Sequence, residues 1–202
     1  MTMTAPSAAK RAIARADILP PEVYARERKA LRQDIVSIKK LRRVEVGPFA
    51  TFYFENFQTM WHQVHEMLHV EKGGEGQIAD ELRAYNPLIP QGRELVATVM
   101  FEIEDPERRA AALRRLSHIE RHMFLDVNGA RIAAQAEHDV ERTRADGKTS
   151  SVHFVRFPLE PAHAAAFKTP GSRIMLGFDH PEYGDRKSTR LNSSHTDISR
   201  MP

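Results

Sequence analysis

The segment His122-Met123-Phe124-Leu125-Asp126-Val127-Asn128-Gly129-Ala130-Arg131-Ile132-Ala133-Ala134-Gln135-Ala136 decides the fold class. An Asn-Gly pair takes the positive φ angles that a two-residue primed turn demands, so His122 to Val127 and Arg131 to Ala136 are predicted as the arms of an antiparallel hairpin. Just upstream, Asp105 and Pro106 cap and open a helix that reaches about Ser117. Before it, Glu94 to Ile103 alternates and is rich in Val, Phe and Thr, as a long strand is. Downstream, Val152 to Pro158 and Arg173 to Phe178 read as strands, separated by a helical turn over Ala162 to Phe167.

The first half is more helical. Pro20 and Pro21 open a helix to Leu41 that buries Tyr24, Leu31, Ile35 and Ile38. Strands Arg43 to Val46 and Ala50 to Glu55 turn on Gly47-Pro48. Phe57 to Glu71 forms the next helix, Gly73, Gly74 and Gly76 a flexible break, and Gln77 to Tyr85 a short helix ending before Pro87. Hairpins mixed with helices, without regular strand-helix-strand alternation, predict an α+β fold. A single domain over Asp17 to Gly184 is expected, mainly antiparallel, with an N-terminal helix and two to three further helices.

With 202 residues and no Cys, the chain excludes a disulfide scaffold, a thiolate metal site and a cysteine nucleophile. No run of about 18 apolar residues suggests a membrane span. The formal charge of +3 comes largely from the C-terminal end. Asp185 to Pro202 (DRKSTRLNSSHTDISRMP) resembles a translated sequencing adapter, and its four Lys or Arg and two acids, removed from 30 and 27, leave 26 basic against 25 acidic residues. That balance gives no reason to expect nucleic acid as a partner. Met1 to Ala16 reads as a flexible leader, with a weak amphipathic targeting helix as the alternative, and the missing signal-peptide core and cysteines make a cytoplasmic location the default expectation. The basic stretch Lys39, Lys40, Arg42 and Arg43 complements the C-terminal end of a helix dipole. Oligomeric state is left open.

One stretch carries a chemistry motif. His65-Glu66-Met67-Leu68-His69 satisfies H-E-x-x-H, in which two imidazoles one helical turn apart bind Zn²⁺ and the Glu activates the metal-bound water. No longer zincin signature marks the third ligand: no metzincin pattern follows and Ile89 stands where a glutamate is commonest, while Glu81 and Glu94 are available but have no motif around them. At about 100° per residue, Phe57, Met60, Trp61, Val64, Met67 and Leu68 face the core, and His62, His65 and His69 fall opposite, where a solvated histidine stripe is the structural alternative. Glu66 and His69 also read as half of a di-iron helical-bundle motif, with no partner half. His118 and His122 are read as an incidental pair.

Several phrases together resemble the bacterial domain-of-unknown-function 3501 family. These are Arg42-Arg43-Val44-Glu45-Val46-Gly47-Pro48, Phe54-Glu55-Asn56, Glu66-Met67-Leu68, Ala84-Tyr85-Asn86-Pro87-Leu88-Ile89-Pro90, Leu95-Val96-Ala97-Thr98 and Asp179-His180-Pro181-Glu182-Tyr183. The resemblance implies a cytoplasmic bacterial protein without established activity, from gene neighbourhoods encoding rubrerythrin and an iron–sulfur oxidoreductase. It therefore implies an accessory role in a redox or peroxide-defence module, with a protein partner there. The family pattern favours Gln and Arg at the positions of His65 and His69, while keeping Glu66. The resemblance highlights Glu55, Asn56, Glu66, Tyr85, Asn86 and His180, which are expected either to converge on a polar pocket or to serve as caps, turns and ion pairs.

Two functional readings follow. One is a non-catalytic accessory or binding protein, with no cofactor expected; the other is a zinc-dependent hydrolase using His65, His69 and Glu66, with zinc or iron as the metal.

Overall fold

Asn56 starts the long helix that carries the motif. Its side chain accepts a 2.9 Å hydrogen bond from the Thr59 backbone N–H, and its own N–H donates to Thr59 Oγ1 at 3.0 Å, satisfying two groups a bare helix start would leave open. The computed structural model describes residues 7, 9–136, 142–183 and 189–190, the last pair by backbone alone. Residues 1–6 and 8 of the expected leader, and 185–188 and 191–202 of the adapter-like tail, lie outside them. The chain gathers into two units, one from 1–42 and 55–92 and the other from 43–54 and 93–201. Together their elements make an α+β protein whose sheets are antiparallel throughout.

The first unit is helical. Helix α1 (Pro21–Lys40) opens on proline and buries Tyr24, Leu31 and Ile35, while Ile38 is half-buried. Helix α2 (Phe57–Glu71) packs against α1 and against α3 (Gly74–Tyr85). The glycine run is not a separate connector, because α3 begins at Gly74. Gln77 explains the early start: its Oε1 accepts from the Gly73 N–H at 2.8 Å and caps the first turn. Order also begins before Asp17. Ile13 is buried, and the Asn86 amide grips its backbone through 2.7 Å and 3.0 Å bonds, so this residue of the expected leader is part of the fold.

The second unit holds both sheets. In one, β1 (Arg43–Val46), β2 (Ala50–Phe54), β3 (Glu94–Phe101), β7 (Val152–Pro158) and β6 (Gln135–Ala136) lie in that order. In the other, β5 (Ala130–Ala133) and β8 (Ile174–Phe178) flank β4 (Met123–Val127), and the short backbone strand β9 (Thr189–Arg190) lies beside β8. Helices α4 (Pro106–Arg115), capped by Asp105, and α5 (Pro161–Lys168) complete the unit. Asn128 and Gly129 have φ of 54° and 92° and join Val127 to its partner Ala130, the predicted two-residue turn. The second arm is shorter than expected. Ala133 is its last residue on β4, and after Ala134 the chain crosses into the other sheet, where Gln135 and Ala136 pair with β7.

Alternation along β4 sends Met123, Leu125 and Val127 inward. They join a core between the sheets in which Phe52 of β2 meets Phe178 of β8 with ring centroids 5.4 Å apart. Each such large apolar side chain contributes about 1.5–3 kcal/mol on burial. Gly47, at φ +71°, makes the β1–β2 turn under the ring of Tyr183, whose hydroxyl donates to the Val46 carbonyl at 2.7 Å. A Cβ at Gly47 would stand 2.6 Å from that ring, so the site needs glycine for space as well as for φ.

Candidate functional site

The motif helix turns its histidines inward. His62 and His65 are 8% and 2% exposed, and only His69 is half-exposed, so the stripe is not solvated. The expected assignment of faces treats α2 as a helix with one covered side, whereas α1 covers the histidine side as well. A helix between two packing partners is buried over most of its circumference.

His65 is held from every direction. Its ring lies between Trp61 and Tyr24, at centroid distances of 4.1 Å and 4.9 Å. The Leu19 backbone N–H can only donate, so Nε2 at 3.0 Å must accept; Nδ1 then carries the proton and donates to the Trp61 carbonyl at 2.7 Å. Both ring nitrogens are consumed, leaving no lone pair for a metal. Burial lowers its pKa and keeps the ring neutral.

Glu66 is equally committed. Arg28 Nε and Nη2 each donate at 2.8 Å to one carboxylate oxygen, and the Tyr24 hydroxyl donates to Oε1 at 2.6 Å. The guanidinium, ahead of the tyrosine, holds the carboxylate well below its usual range, at about 2. A general base works best with a pKa near the operating pH, and this group is far from it. Burial, and then the carboxylate, push the Tyr24 hydroxyl up, so that residue stays a donor. Of the other candidate ligands, Glu81 accepts from Gln77 and Glu94 pairs with Arg156. Among the described residues no group of three or more His, Asp or Glu is arranged to hold a metal ion.

The remaining highlighted residues serve local structure. Glu55 is buried and accepts from Thr59 Oγ1, Asn56 caps α2, Asn86 clamps Ile13, and Tyr85 is half-buried with Gln63 as a hydrogen-bond partner. Glu55 and Asn56 thus meet on Thr59, while Glu66 belongs to the Tyr24–Arg28 network. His180 lies in the second unit, where its Nε2 faces the Ser117 carbonyl at 3.2 Å and its Nδ1 accepts from the Glu182 N–H. Its ring meets that of His122 edge-on, and His122 in turn bonds Asp179 at 2.8 Å.

Two concave surfaces adjoin the motif helix. The first, of about 640 Å³, lies where α1, α2 and α3 converge; Ile18, Leu19, Tyr24, Leu68 and Ile78 provide apolar walls. An Arg15–Glu75 ion pair sits at its edge. The second, of about 670 Å³, is an open groove along α1, lined by Ala25, Arg28, Lys29, Arg32, Gln33, Val36 and His69. His69 borders both. The sequence reading missed this groove, although its signal is present: residues 25, 29, 32 and 36 repeat at intervals of four, three and four, on a different side from Tyr24, Leu31 and Ile35. His62, expected on a solvated stripe, is instead buried with no hydrogen-bond partner for either ring nitrogen. Burial pushes this imidazole down to about 4. In the second unit, buried Glu120 and His153 face each other at 3.7 Å.

No helix among the described residues is long and apolar enough to cross a membrane. No curated protein matches the chain. A crystal structure of a novel protein of unknown function from Burkholderia pseudomallei K96243 is similar at 38% identity, covering 94% of this chain and 98% of that one with a TM-score of 0.85. The profile of DUF3501, proteins of unknown function, matches residues 12–197, a span that takes in buried Ile13 and the motif helix. The chain belongs to the DUF3501 family.

Proposed function

We propose that the protein is a non-catalytic binding protein of the cytoplasm, an accessory that holds a protein partner within a redox or peroxide-defence module. The observation that carries this reading is how the motif helix uses its polar groups. Glu66 and both nitrogens of His65 are consumed inside the fold, whereas the adjoining face of α1 presents Lys29 and Arg32 to solvent. Such a surface is suited to binding rather than to bond cleavage. The redox setting rests on the gene neighbourhood that the family resemblance implies. Hydrolysis at His65 and His69 finds no support in this geometry, because a catalytic zinc needs free imidazole lone pairs and an activating carboxylate.

The test mixes the purified chain with a rubrerythrin and an iron–sulfur oxidoreductase of the kind the family resemblance implies as partners, followed by size-exclusion chromatography with light scattering. A stoichiometric complex with either protein is expected. Elemental analysis of dialysed protein accompanies it, and near-stoichiometric zinc or iron that vanishes in a His65→Ala, His69→Ala variant would overturn the reading in favour of the hydrolase.

A further inference from the structure

We propose that the α1 groove is the partner-docking surface and that its occupant is an acidic segment of a protein; this rests on the binding-protein reading above. Ala25, Lys29, Arg32 and Val36 share one stripe, about 16 Å long at 1.5 Å per residue. Among the described residues neither Lys29 nor Arg32 has an ion-pair partner, and no acidic side chain lines the groove. Arg28 adds a fixed cation. Its Nε and Nη2 are anchored on Glu66, which fixes the guanidinium plane and leaves Nη1 for an incoming carboxylate. Preorganisation of this kind lowers the ordering cost of a charge-assisted contact.

The shape and the apolar content select the occupant. A small-molecule site encloses most of its ligand, whereas this groove is open along its length. Val36 is 65% exposed at one end of the cationic stripe, an anchor point for an apolar side chain on a partner. Single-stranded nucleic acid would need aromatic stacking platforms, and the only ring lining the groove is His69. A membrane surface would need a free apolar helix face, but Tyr24, Leu31 and Ile35 already spend that face inside the protein. An acidic protein segment with one apolar residue fits what remains, as in other recognition of acidic motifs by arginine clusters.

The test is fluorescence anisotropy of fluorescein-labelled poly-L-glutamate titrated with the full chain at low ionic strength. Three variants are compared: Lys29→Glu with Arg32→Glu, Val36→Asp, and a control carrying Arg108→Glu with Lys168→Glu, which makes the same charge change in the second unit. All these side chains are exposed, and far-UV circular dichroism checks that each variant folds. Saturable binding is expected, weakened about tenfold by the Lys29/Arg32 reversal and less than about twofold by the control, and lost progressively with salt. Val36→Asp should weaken it as well, through the negative charge it adds at the end of the stripe. No binding, equal loss in the control, or tighter binding of oligo-dT or of phosphatidylserine vesicles would overturn the proposal. None of these titrations uses a redox partner, so failure here with the stoichiometric complex intact would remove the docking surface alone.

Discussion

Glu66 sits in the fork of Arg28, each carboxylate oxygen 2.8 Å from a different guanidinium nitrogen, and so ties the middle of α2 to the first half of α1. Glu66→Gln keeps the shape and removes the charge. It is expected to destabilise the protein at pH 7 by about 1.5–3 kcal/mol, the usual worth of hydrogen bonds to charged groups, measured by urea unfolding. The folded carboxylate titrates near 2 against an ordinary 4.5, so its contribution is complete above 4.5 and fades as the pH falls toward 2. Parent and variant should therefore converge in strong acid; a gap that stays constant would refute the assignment.

His62 predicts a second pH effect. Its folded-state value near 4 lies below the ordinary 6.5, so the unfolded chain takes up a proton in this window that the folded chain refuses. Stability is complete above 6.5 and declines as the pH drops toward 4. Arg32 and Lys39 on α1 reinforce the shift, while Glu66 opposes it. His62→Leu removes two unpaired buried nitrogens and is expected to flatten that slope and raise stability at pH 5 by about 1 kcal/mol or more. Unfolding curves for parent and variant at pH 5 and 7.5 measure the difference in slope, and identical slopes would count against it.

For His65 the expectation concerns packing and metal together. His65→Ala empties a fully buried site and strands the Leu19 N–H, at a cost of about 3 kcal/mol. EDTA, by contrast, should leave the thermal midpoint of the parent unchanged. A chelator-induced drop of several degrees would mean that the motif does hold a metal.

Two glycines separate backbone strain from crowding. Gly129 has φ +92° and open space around its missing Cβ, so Gly129→Ala should cost only the price of a left-handed alanine, about 1–2 kcal/mol. Gly47→Ala adds a collision with Tyr183 and should cost more. In a Tyr183→Ala background the two substitutions should become similar, as a double-mutant cycle by thermal unfolding would show.

What sequence alone revealed follows from the range of the forces involved. The Asn128-Gly129 turn, the Asn56 and Asp105 caps and the proline-led helices depend on neighbours within a few positions, and all lie where those residues predict. Pairings across long stretches were not legible. Nothing in α2 announces that Arg28 and Tyr24 will claim Glu66, or that the Leu19 N–H will claim His65. The same gap explains the face of α2, whose histidine side looks solvent-facing until α1 is laid over it. The site was legible as a stretch of residues, and its chemistry was reversed by contacts from another helix.

The crossing at Ala134 links the two sheets of the second unit through the chain itself. A strand that leaves β4 and at once joins β7 makes it hard for either sheet to open while the other stays closed. Amide protons of β4 and β7 should therefore exchange with solvent at a common rate, limited by one shared opening event rather than by separate fraying of each sheet. A deletion of Ala134 would push Gln135 and Ala136 one position out of register with β7, and the cooperativity of unfolding would fall before the secondary structure did.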